Sequence, residues 1–118
     1  MKKFARLLVV SLCLTGVVLA HHGTQGLYNA EQVTLSGTIV ECMFGNPHVI
    51  MKLKVADAIW EVTMPSVGVF SRVGLTGESF KAGTKATVTG VVHKQKANDM
   101  YAGAQVTIGD VKVGQSDR

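Results

Sequence analysis

Cysteine is nearly absent from this chain, and that absence bounds the chemistry first. Only Cys13 and Cys42 occur in 118 residues. Cys13 lies inside an apolar run near the start, so one cysteine remains if that run is removed. No intrachain disulfide can then form, and no CxxC pair exists to hold zinc or shuttle electrons. The short motifs of catalysis are missing as well. There is no GxSxG, no P-loop and no GxGxxG behind a strand. No internal repeat or low-complexity tract interrupts the chain.

What is present begins with an export leader. Lys2, Lys3 and Arg6 make a basic start, and Leu7–Val10, Leu12–Leu14 and Val17–Leu19 make an apolar centre. Val18 and Ala20 are the small residues that a signal peptidase reads three and one positions before its cut. The apolar centre is short for a membrane span, so residues 1–20 are predicted to be a cleaved signal peptide that leaves no stable membrane anchor. A lipid anchor on Cys13 is disfavoured because Leu12 stands where a small residue is wanted. Removing Lys2, Lys3 and Arg6 from the twelve basic residues leaves nine against eight acidic ones, a net charge of about +1. A surface so balanced exerts little pull on nucleic acid, which is not expected as a partner. A protein partner is not specified by the sequence. The expected location is periplasmic or secreted.

After the leader, residues 21–31 read as an N-terminal arm, 32–109 as one β-barrel domain and 110–118 as a C-terminal tail. Gln32 to Phe44 alternates as a strand, with Val33 and Leu35 on one face and Thr34, Ser36 and Thr38 on the other. The apolar phase then shifts to Val40, Cys42 and Phe44, which predicts a bulge or bend beside Gly37. Gly45-Asn46-Pro47 is a turn. Val49, Met51, Leu53 and Val55 form the inward face of a second strand; Trp60, Val62 and Met64 do so for a third. Pro65 to Val73 reads as a short helix stopped by Gly74. Ala86, Val88, Gly90 and Val92 alternate along a fourth strand, and Met100 to Ile108 form a fifth. Three strands, a short helix and two strands is the order of the OB barrel, so the predicted fold is an all-β, five-stranded OB-like barrel with its helix between strands 3 and 4. Val111 and Val113 could extend the sheet.

Histidine is the residue type with the most chemistry to offer. Cleavage after Ala20 would make His21 the N-terminus, followed by His22. A terminal histidine presents its α-amine and ring Nδ1 to the same metal. A third nitrogen from another imidazole completes a set suited to Cu(II). His48 and His93 are candidates for that third nitrogen, and His22 for a ligand or a supporting donor. Copper is therefore the candidate cofactor, with His21, His22, His48 and His93 as the candidate metal site. Cys42, Met43, Met64 and Met100 are soft donors that suit Cu(I), but on apolar strand faces such residues more often fill the core. Glu41 and Glu61 would make a carboxylate pair only if the fold joined them.

The sequence resembles a family of small exported bacterial proteins known as a domain of unknown function. The landmarks are His21-His22, Tyr28, the strand Val33 to Ile39, Asn46-Pro47-His48, Trp60, Arg72-Val73-Gly74 and Phe80 to Gly90. The chain departs from that pattern at Gly23-Thr24, at Phe44 and Gly45 before the turn, and at Gly83-Thr84. The resemblance implies export and a small β domain, and implies no activity. The expected role is binding without catalytic turnover. The alternatives are a metal-free interaction or structural module and a copper enzyme with an open substrate face.

Overall fold

The computed structural model describes residues 26–115. The predicted leader, with Cys13, and residues 21–25 of the predicted arm, with His21 and His22, lie outside them. The described chain forms β1 (Tyr28–Met43), β2 (Ile50–Val55), β3 (Ala58–Thr63), α1 (Val67–Ser71), a 3-10 turn (Gly77–Phe80), β4 (Lys85–His93), β5 (Asp99–Ile108) and β6 (Val111–Gly114). Among the described residues, no helix is long and apolar enough to cross a membrane.

The long strand β1 organises the sheet. Its first half pairs antiparallel with β4 and its second half with β2; Thr38 is opposite Lys85 on one side and Lys54 on the other. Gly37 makes this handover possible, because a Cβ there would run into the Lys54 carbonyl. β2 pairs with β3, β4 with β5, and Glu61–Thr63 of β3 run parallel to Asp99–Tyr101 of β5. That last pairing closes the ring β1-β2-β3-β5-β4, the strand order of the OB barrel. Closure removes the edges that five Val- and Thr-rich strands would otherwise expose.

The ring is filled by alternate residues. Ile39, Met51, Leu53, Val62, Val88, Met100 and Val106 are all essentially sealed from solvent, and no polar side chain is buried among the described residues. Phe70 of α1 and Phe80 of the 3-10 turn are sealed in the same core. Full burial of side chains of this size stabilises by about 1.5–3 kcal/mol each.

Five details correct the sequence reading. The phase shift in β1 falls at Val40 rather than Gly37: Ile39 pairs with Leu53 and Glu41 with Lys52, which pushes Val40 outward to 43% exposure. The arm read over 21–31 already becomes β1 at Tyr28. The tail read from 110 contains β6, which pairs with Gln105–Ile108 and buries Val113. The helix is shorter than Pro65 to Val73. The Pro65 carbonyl still accepts the Val49 N–H as an extension of the sheet, and Gly74 ends the following turns at φ +84°. Trp60, expected inside, is only partly buried against the core.

Candidate functional site

The site grows from an irregularity shared by three strands. Between Thr89 and Val91 β4 advances two residues, while its β5 partners run from Gln105 to Tyr101, four residues. On the other side, β4 advances two residues from Val91 to His93 while β1 runs four, from Gln32 to Tyr28. Each neighbour of β4 therefore carries two extra residues near Val91, one bulge at 29–31 and the other at 102–104. Bulges bend a strand and re-aim its side chains. Gly90 is needed beneath them, since a Cβ there would strike the backbone of Tyr101 and Ala102.

The outer face is hollowed at this level. A cleft of about 850 Å³ is lined by Tyr28, Asn29, Ala30, His48, Thr63, Val91, Lys94 and Tyr101. That size falls within the range of small-ligand sites. A smaller hollow of about 210 Å³ shares Val91 and Tyr101, and adds Gln32, Gly90, Gly103, Ala104 and Gln115.

Four rings stand in a row here. His93 meets Tyr28 edge to face at 5.2 Å, Tyr28 leans on Tyr101 at 6.2 Å, and Tyr101 meets His48 edge to face at 6.0 Å between centroids. The two histidines have opposite hydrogen-bonding roles. His48 Nδ1–H donates to the Met64 carbonyl at 3.1 Å, because a carbonyl can only accept. Its Nε2 is thereby left with a free lone pair. His93 Nδ1 accepts the backbone N–H groups of Gln95 and Lys96, both at 3.0 Å, which puts the neutral ring's proton on Nε2. Burial raises the pKa of the Tyr28 hydroxyl, and the charges of Asp99, Tyr101 and Glu61 raise it further.

The structure brings the predicted site residues together only in part. His48 lines the cleft and has a nitrogen to offer. His93 stands at the end of the ring row, but its lone pair is committed to the β4–β5 loop, so it is poorly suited to ligate a metal. Among the described residues, no three of His, Cys, Asp and Glu gather closely enough to hold an ion. Met64 and Met100 are sealed in the core. Cys42 is half-buried, and burial pushes its thiol pKa up to about 11, which keeps it protonated at neutral pH. Glu41 and Glu61 do not pair with each other. Both lie opposite Lys52, whose Nζ is 3.1 Å from the Glu41 carboxylate. Tyr101 and Val91 were not picked out from sequence, and Tyr28 served only as a landmark. The usable signal was that the chain's two tyrosines both sit at the starts of strands, where bulges carry them to the same place.

Comparison with known proteins gives a family and no activity. The model of a family of unknown function (DUF6152) matches residues 9–105, and the chain belongs to that family. No curated protein matches it.

Proposed function

We propose that this member of the DUF6152 family is an exported binding protein of the periplasm or extracellular space that holds copper at the mouth of the cleft. The His21 amine and ring supply two nitrogens and His48 Nε2 a third, with His22 as an alternative donor. His93 contributes to the wall of the ring row rather than to the metal. The protein binds without catalytic turnover.

One observation carries this reading. Tyr28, seven residues after His21, lines the same cleft as His48. Seven residues reach up to about 23 Å, so a chain cut after Ala20 would start within reach of the one cleft imidazole with a free lone pair. Export is part of the chemistry, because the α-amine exists only after cleavage. The leader pattern over residues 1–20 supports it.

The test is Cu(II) titration of mature protein made through its own leader. Adding one residue before His21 and replacing His48→Ala should each weaken binding by tenfold or more, a loss of about 1.4 kcal/mol or greater. Binding should also weaken as the pH falls, since protons compete for the amine and imidazole nitrogens. Equal affinity in the native, extended and His48→Ala proteins would remove copper from the account and leave a metal-free interaction module.

A further inference from the structure

We propose that the two hollows form one groove across Val91, and that this groove binds a neutral oligosaccharide independently of any metal. The argument starts from continuity. Val91 and Tyr101 line both hollows, so the two hollows meet at these residues. The bulges on either side of β4 open the face along this line. Small residues beyond Tyr101, namely Gly90, Gly103 and Ala104, keep the second hollow clear.

The lining chemistry selects the ligand. Asn29 and Thr63 border the cleft, and Gln32 and Gln115 border the smaller hollow. A side-chain amide carries a donor and an acceptor side by side, which matches adjacent hydroxyls that each donate and accept. The Tyr101 ring offers an apolar face with a polar tip, suited to the C–H face of a sugar. Lys94 is the one lining residue with an ammonium or carboxylate group. A polyanion such as a nucleic acid needs several cations along its path, and they are not here. A peptide that binds by adding a strand needs a free sheet edge. β4, beneath the groove, is already paired on both sides. A chain of uncharged sugars satisfies the amides, the ring and the charge balance together.

The test uses the mature protein stripped of metal with a chelator, so its outcome does not depend on copper. Soluble cello-, xylo-, malto- and chito-oligosaccharides are titrated in while backbone amide signals are followed by NMR. A polyuronate and an unstructured peptide serve as comparison probes. At least one neutral oligosaccharide should shift the signals of Gln32, Val91, Tyr101 and Gln115. Tyr101→Leu should weaken that binding by roughly tenfold or more, as loss of a central aromatic contact does, in protein whose amide spectrum shows it still folded. Ala104→Trp, which fills the smaller hollow, should weaken a long oligosaccharide while leaving its disaccharide unaffected. The proposal is overturned if no neutral oligosaccharide binds, if only the polyuronate or peptide does, or if Tyr101→Leu binds as tightly as the native protein.

Discussion

Two groups of aromatic rings divide this small barrel between them. In the interior, Phe80 lies between Phe70 and Phe44, with centroids 5.1 and 5.4 Å away. On the outer face, His93, Tyr28, Tyr101 and His48 stand in a row at 5.2–6.2 Å. The ring spacings are nearly the same, and the atoms on the rings decide the rest. Phenylalanine has no polar atom to satisfy, so Phe70 and Phe80 can be sealed completely. Each outer ring carries a nitrogen or an oxygen, and those of His48 and His93 bond to backbone atoms of neighbouring loops. The interior group closes the core on α1 and the 3-10 turn. The outer group shapes a cleft while leaving ring atoms accessible to a ligand.

The largest effect should come from breaking the interior group. Phe80→Ala removes the ring that touches both others in a fully packed site, and should cost about 3–5 kcal/mol in denaturant unfolding. A loss below about 1 kcal/mol would mean that Phe70 and Phe44 close the core without it. Gly90→Ala strikes the seam between the two regions. Its methyl group meets backbone at Tyr101 and Ala102 rather than a yielding side chain. It should cost about 1–3 kcal/mol and displace the Tyr101 amide and ring signals, while those of Phe70 stay in place. Movement of both ring groups together would show that core and cleft are not separable.

The smallest effect is expected at Cys42, which lies between the two extremes: half-buried, packed against the core, with a thiol held protonated by burial. A thiol reagent at neutral pH should label it much more slowly in the folded than in the unfolded protein. The sign for stability follows from the direction of the shift. The folded protein keeps this proton up to about pH 11, against about 9 for an ordinary thiol. This contribution is therefore intact below pH 9 and declines between 9 and 11, as the unfolded chain releases the proton first. Labelling at the unfolded rate would place Cys42 on the open surface.

Much of the barrel was legible in the sequence because alternation is local. Val49, Met51 and Leu53 could be assigned to the interior from a run of five residues, and three strands, a helix and two strands named the topology. The β1 slip was legible too, but not its position. Ile39 and Val40 are both apolar, and only pairing with Leu53 and Lys52 decides which one faces inward. His48 stood out in the sequence as a candidate ligand beside the Asn46-Pro47 turn, and the fold sets it in the cleft. Its neighbours in the cleft come from β1, β3, β4 and β5, and no spacing rule links them.

The same division holds for the chain as a whole. Local pattern was enough for the succession of five strands and a helix along the chain, the apolar interior, the scarcity of thiols and the presence of four imidazoles, because composition and period depend on neighbours a few residues apart. Only the tertiary structure decided that β3 would lie parallel to β5, that bulges in β1 and β5 would meet at Val91, and that His48 would keep a free nitrogen while His93 gave its own to a loop. Those outcomes depend on hydrogen bonds between strands distant in the chain, and on which backbone group each ring meets after the barrel has closed.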